Sequence, residues 1–573
     1  MAGFRRPADR NRRAERQCPY DRKQRLRAAP GTHRRMPREA VPLDRLRSPE
    51  LQGRRQAGLR AQRNRPETRN PRNRPGAGEP FEMKRLFAGI AVLLALASAA
   101  TVMSLRSRSG RPEIVWTAGL SQDRVEQAAL FHEWLRNEGY VDENGELLFT
   151  LRLEAADNQS TLIQAVSGVA GDLIDHVPVS RFAPMGVLED ITEFAAENGL
   201  DPARNYPGAA SLLTSGGRQY AFPCNLAARG LLVNLDTFAE YGVEPPPEEW
   251  TPEEFERIGL EFTRRANAGK ARQEVFFAGP MPEMILPLAR SLGGDVFNET
   301  MTASALASPA FEKALSLYCR WSGELKLIPD ASDIASESAD SSSANGEATP
   351  QLMRGRYGMI LTGRYVNMDL RRSPRGTFRY GFVQFPEYGF KNTELTVRCT
   401  SIYKGSKHKE FAKIFLKFLA GRDYNELLIR SSDGLPPNPA WAKENPAFHT
   451  PPERPFEGKL HTNELKWALA IGIPESRSPF YPLNDNKINY ARQKVENKLA
   501  SVPEALRLAA DAIDHSIRAA VEGTPSLREP YRQACELQKK IDARKAAGEK
   551  IPAAWISNPF FLSYYRSKGM LAE

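Results

Sequence analysis

Apolar and polar positions along this 573-residue chain keep two rhythms. EIVWTAG (113–119) is apolar and β-branched before it ends in small residues, which predicts a buried strand. QAALFHEWLRNEGY spaces its apolar residues three and four apart and stops near Gly139, which predicts a helix. LLFTLRLEAAD reads as a second strand, TLIQAVSGVAG as a helix ended by glycine, and DLIDHVPV as a third short strand. Alternation at this spacing predicts βαβ units and a largely parallel sheet. Farther along, Thr251 is placed to cap a helix, with Pro252 at its first position and Glu254 completing a capping box. EVFFAGP, RYGMILTG and YGFVQFPE are expected strands; FEKALSLYCRWSGEL, KEFAKIFLKFLAG and VPEALRLAADAIDHSIRAAV are expected helices. DASDIASESADSSSANGEATP is expected to be a polar low-complexity loop. No internal repeat is visible.

Charge changes the picture at one end only. The net charge is +11, yet residues 1–82 hold 23 Lys/Arg against 9 Asp/Glu, leaving 57 basic and 60 acidic residues in the rest. The Arg/Pro-rich first segment has almost no apolar periodicity and is expected to be disordered. It reads as a basic nucleic-acid arm, a plain tail, or residues upstream of the true start. The last reading is favoured by what begins at Met83. Met83-Lys84-Arg85 precedes an uncharged run over 86–105 with a small-residue site at Ala97-Ser98-Ala99. That pattern describes a secretory signal over 83–107, with an uncleaved membrane anchor as the alternative. Either way the body is expected outside the cytoplasm, periplasmic or otherwise extracytoplasmic. Cys224, Cys319, Cys399 and Cys535 follow, widely scattered; one disulfide is compatible with an oxidising compartment, and no pairing is readable.

Catalytic motifs are missing. No GxSxG, P-loop, HExxH or strand-following GxGxxG occurs, and the seven histidines are dispersed. Asp172 and Asp175 lie three apart on one predicted strand, a spacing more typical of a strand end than of a catalytic dyad. The chain is not expected to be an enzyme.

Five stretches, in order, carry a resemblance. They are EIVWTAG, SGVAGDLIDHVPVSRFAPMGVLEDIT, GRQYAFPCNLAARGLLVNLDTFAEYGVEPPPEEWTPEEF, MRGRYGMILTGRYVNMDL, and SKHKEFAKIFLKFLAG with SDGLPPNPAW. Together they resemble the extracellular solute-binding proteins of ABC importers, in the sugar-binding group to which maltose-binding protein belongs. The chain departs from the pattern with Gly171 where Pro is usual and Val233 in place of Tyr. The resemblance implies an α/β fold of two discontinuous lobes around a cleft, the type II periplasmic-binding-protein arrangement. It places lobe one at 112–225 with 396–450 and lobe two at 228–392 with 460–523. It leaves 524–573 as a C-terminal extension without a role. It implies a monomer that binds a small molecule of the sugar class and delivers it to ABC permease subunits in the inner membrane, with no cofactor, no metal and no nucleic-acid partner. A membrane-tethered partner of a sensory receptor and a binder of non-sugar solutes are the alternatives.

On that frame GRQYAFPCNLAARGLLVNLDTF is the first crossover between lobes. Strand alternation puts Asn225, Ala227 and Arg229 on one face, where a cation suits hydroxyls or a carboxylate; a solvated edge arginine is the plain alternative. Trp116 and Thr117 end the first strand at the carboxyl edge where open α/β sheets bind ligands, although Trp116 reads equally as core. Asp175 and His176 end the third strand, as polar contacts or as inert strand ends. Glu283 resembles a lobe-two cleft position, or is an exposed loop residue. Arg364 and Tyr365 follow Gly363 where the family places a stacking Trp. Phe480 and Tyr481 stand where another aromatic is common, against a rival role as a staple onto the core. The ligand stays open between oligosaccharide, monosaccharide and sugar acid.

Overall fold

The computed structural model describes residues 111–572, apart from 156–157, 176, 339–347, 374–377 and 483–484. The basic segment, the uncharged run over 86–105 and His176 lie outside the described residues.

Glu113–Thr117 pairs in parallel with Thr150–Glu154, register Glu113 to Thr150, and with Leu173–Asp175 on its other side. The helix Gln122–Asn137 connects the first pair, and its buried Phe131 and Leu135 pack onto the sheet. The long strand Thr393–Ile402 extends this sheet, running antiparallel to Leu173–Asp175 and to Phe222–Ala228, and parallel to Gly472–Pro474. The result is a six-stranded mixed sheet. A second sheet has three strands, with Gly230–Asn234 between Met359–Thr362 and Tyr380–Val383 and antiparallel to both.

Chain crossings between the sheets are short. Phe222–Ala228 belongs to the first sheet and Gly230–Asn234 to the second, so Arg229 alone lies at the joint. Gly230 is needed there, because a Cβ would stand 2.7 Å from both the Phe382 and the Trp467 rings. The return crossing enters Thr393–Ile402, and a third leads through Gly472–Pro474. Each lobe has its own apolar core: Trp116, Phe131, Phe149 and Phe415 in the first, and Phe255, Phe277, Leu288 and Trp321 in the second. This is the two-lobed α/β arrangement expected of the chain.

Several local expectations meet their physical cause. Thr251 accepts from the Glu254 amide while the Glu254 carboxylate accepts from the Thr251 amide at 2.8 Å, and Pro252 opens the helix Pro252–Ala266. EVFFAGP departs from the expectation: it bonds to the neighbouring segment through Phe276 and Gly279 but forms only an isolated bridge, since Gly279 and Pro280 end the extended run. The expected polar loop also departs, for Ala331–Ser338 is helical and Asp330 accepts from the Ser332 and Asp333 amides at its start. The C-terminal extension forms the helix Pro525–Ala546 and a shorter helix, Pro559–Ser567. All four cysteines among the described residues are free.

Candidate ligand-binding cleft

Where the crossings pass, the lobes enclose a cleft of about 400 Å³. Lobe one contributes Arg124, Asn225, Thr396, Arg398 and Asp433; Tyr365 comes from lobe two; Glu394, Glu475 and Arg477 come from the crossings. An adjoining cavity of about 130 Å³ shares Glu394, Glu475 and Arg477 and is more apolar, with Leu286, Phe297 and Tyr481 on its wall beside Glu283. The larger volume lies within the range of small-molecule sites.

The polar wall is built from guanidinium–carboxylate pairs. Arg124 Nη1 meets Asp433 Oδ2 at 2.7 Å, and Gln127 donates to the same oxygen at 2.9 Å. Against the cost of burial, Arg124 holds the Asp433 carboxyl below the usual carboxylate range. Asn225 fixes that loop from the crossover, donating to the Asp433 carbonyl at 2.9 Å and to its Oδ1 at 3.0 Å. The turn needs glycine next, since Gly434 has φ +76° and a Cβ would stand 2.7 Å from the Leu226 carbonyl.

Arg398 is buried beneath the cleft. Its Nη2 lies 2.5 Å from Asp175 Oδ2, and Asp175 Oδ1 also accepts from Trp116 Nε1 at 2.6 Å. The approach to Asp175 lacks hydrogen-bond geometry, so Nε, Nη1 and Nη2 all keep donor capacity. Burial works against the charge on Arg398, yet the Asp175 carboxylate outweighs it and raises the guanidinium pKa. The register shifts between Arg398 and Cys399 where the two crossover strands pair, a bulge that re-aims the side chain.

Arg229 sits behind this wall. It pairs with Glu394 at 3.2 Å, and Tyr365 and Glu283 are its next electrostatic neighbours. Although burial lowers the Arg229 pKa, these groups raise it above its ordinary value. Burial pushes the Glu394 carboxyl up, against the pull of Arg229.

The structure thus brings Asn225, Arg229, Glu283, Tyr365 and Tyr481 to the cleft region, Arg229 one layer back. The Tyr481 hydroxyl donates to Asp485 at 2.5 Å. Others go elsewhere. Trp116 is fully buried against Phe415 with centroids 4.7 Å apart; it is core, and it supports Asp175. Thr117 is buried under Gly171, where a Cβ would stand 2.5 Å from its hydroxyl. Asp175 acts one layer behind Arg398. Arg364 does not line the cleft. It is fully buried, and its guanidinium donates to the carbonyls of Leu428, Ile429 and Gly434 and to His461. The end of the helix Arg422–Ser431 presents the Leu428 and Ile429 carbonyls, which is where a cation is favoured. Phe480 packs edge-on to Tyr531 of the C-terminal extension, centroids 5.1 Å apart.

Sequence reading missed Arg124, Arg398, Asp433, Glu475 and Arg477. Two signals were present: Thr396 and Arg398 alternate on one face of ELTVRCT, and Asp433 precedes glycine in SDGLPP. Among the described residues no group of His, Cys, Asp and Glu is arranged to hold a metal ion.

The family model for bacterial extracellular solute-binding proteins matches residues 152–426. A protein of Brucella abortus described as a binding protein is 23% identical over 235 residues, 40% of this chain and 53% of its own length. The match therefore spans about half the length of that relative. Among solved structures, an ABC substrate-binding protein from Listeria monocytogenes in complex with cycloalternan aligns with a TM-score of 0.58 at 19% identity, over 71% of this chain and 99% of its own. A solute-binding protein from Thermotoga lettingae bound with α-D-tagatose gives 0.55 at 18%, over 71% and 100%. One from Agrobacterium vitis with bound D-mannitol gives 0.54 at 15%, over 71% and 99%. At such identities the likeness concerns the fold alone. Residues 152–426 thus resemble bacterial extracellular solute-binding proteins in sequence, and the two-lobed fold is shared with the solved solute-binding structures.

Proposed function

We propose that the protein is the extracytoplasmic receptor of an ABC importer and that it binds a carbohydrate or polyol in the interlobe cleft and hands it to a membrane permease. The observation that carries this reading is the cleft wall itself. Arg124–Asp433 sets guanidinium donors beside a carboxylate acceptor, Arg398 lies alongside with Asp175 balancing its charge from behind, and neighbouring Asn225 adds an amide. Such a wall is close to neutral and offers donors and acceptors side by side, which suits vicinal hydroxyls. Tyr365 in the larger space, and Phe297 and Tyr481 in the adjoining one, supply apolar faces for the C–H side of a sugar ring. Three solved relatives in fold carry an oligosaccharide, a ketose and a polyol, which supports the same class here. Contacts from both lobes favour the closed arrangement, so binding is a hinged population shift.

A thermal-shift screen of monosaccharides, oligosaccharides, polyols, sugar acids and amino acids tests the reading. A ligand selective for the folded form raises the melting temperature by mass action. A neutral carbohydrate or polyol is expected to give the largest rise. A rise with amino acids or peptides alone contradicts the proposal.

A further inference from the structure

Glu475 and Arg477 border both spaces of the cleft and a third, smaller cavity of about 40 Å³, yet they do little to hold each other. Their closest approach is 3.6 Å, with side chains 54% and 43% exposed. What fixes their segment lies underneath. Arg290, fully buried, donates to the Pro474 carbonyl at 2.9 Å and to Asp295 Oδ1 at 2.8 Å. The Ser476 hydroxyl is within hydrogen-bond reach of Asp295 and of Asn558 Oδ1, the latter at 3.0 Å. Asn558 is buried too, and its Nδ2 donates to Asp295 Oδ2 at 2.8 Å and to the Phe297 carbonyl at 3.0 Å. Asn558 belongs to the C-terminal extension, where it caps the helix Pro559–Ser567.

The extension is anchored independently of this contact. Glu299 of lobe two accepts from Gln538 at 2.8 Å, Lys545 at 2.7 Å and the Tyr565 hydroxyl. Phe560, Phe561 and Ile541 form an apolar cluster that takes in Ile473 of the third crossing. Pro559, next to Asn558, borders the small cavity opposite Ser180 and Ser211 of lobe one. A buried polar network whose members are all bonded rigidifies what it holds.

We infer that the C-terminal extension builds part of the cleft wall: Asn558 is a positioning residue that, through Ser476, holds residues 473–478 so that Glu475 and Arg477 stand in the cleft. The inference rests on reading the cleft as the solute site, but its test needs no solute, so the two fail separately.

The experiment is amide hydrogen exchange on the full chain, parent against Asn558→Ala, resolved by peptides. Exchange over 475–478 is expected to quicken about tenfold or more, while 113–137 in lobe one stays as in the parent. Ser476→Ala, which deletes one hydroxyl and leaves the extension's own anchors, is expected to give the same local pattern, and it serves if Asn558→Ala does not fold. Unchanged exchange over 475–478 overturns the inference. So does quickening spread evenly through the extension and lobe two, the mark of a merely structural role.

Discussion

Tyr365 is half-buried on the cleft, with Arg229 as a charged neighbour. If the ring stacks on ligand, its value lies in buried apolar area, so Tyr365→Ala is expected to weaken binding by about 2 kcal/mol, roughly thirtyfold. Tyr365→Phe keeps the face and loses only the hydroxyl, so affinity stays within a factor of several. Titration of both variants decides it, and equal losses would remove stacking from the account. Arg229 behaves differently. Its pair with Glu394 is mostly buried, at 26% and 19% exposure, so Arg229→Ala leaves a carboxylate without its cation and is expected to cost about 1–3 kcal/mol of stability before any ligand is added. Denaturant unfolding measures the loss, and Glu394→Gln in the same background should recover part of it. At this scale the sequence was partly legible. Asn225, Arg229 and Tyr365 were visible because crossover and turn positions follow from local pattern. Arg364 was misplaced because nothing local tells that three main-chain carbonyls, 64 to 70 residues away in sequence, would claim its guanidinium.

Among the elements, the helix Gly458–Ala470 shows how a crossing is held. Asn463 donates to the Phe382 carbonyl at 3.2 Å, Trp467 stacks on Phe382 with centroids 4.9 Å apart, and Glu464 accepts from the Ala228 amide at 3.2 Å. Burial raises the Glu464 carboxyl to about 8, against Arg364, while burial together with Arg364 lowers His461 to about 4. Both consequences for stability follow from proton counting. Glu464 binds its proton more tightly folded than the 4.5 of a free side chain, so stability falls as pH rises from 4.5 to 8. His461 binds its proton less tightly than the free 6.5, so stability rises with pH from 4 to 6.5. The two oppose each other in the lower range, and between 6.5 and 8 Glu464 acts alone of the pair. Chemical denaturation at pH 6.5 and 8 is expected to show a fall of up to roughly 2 kcal/mol, and Glu464→Gln should abolish it. A fall that survives the substitution assigns the dependence to another group. Elements whose ends carry local signals, such as the capping box at Thr251, were legible in the sequence. EVFFAGP was not, because its apolar run hides the Gly-Pro stop, and the register shift at Arg398 depends on a partner strand far away in sequence.

On the scale of the whole molecule, three crossings join two lobes, and the polar side chains that line the cleft lie on or beside those crossings. That arrangement makes the cleft sensitive to hinge motion and gives a solute held by both lobes its grip on the closed state. The order of helices and strands carried this architecture in the sequence; the packing of the C-terminal extension against lobe two did not show, since its charged helix has no partner in the pattern. The central claim is that a carbohydrate or polyol occupies the space between Asn225, Arg398 and Asp433 on one lobe and Tyr365 on the other. A crystal structure of the protein with the strongest hit from the saccharide and polyol screen tests it most directly. That structure is expected to show the solute in that space, with hydroxyls bonded to Arg398 and Asp433 and one ring or chain face against Tyr365. The same solute bound elsewhere on the protein, with this cleft left to water, would contradict it.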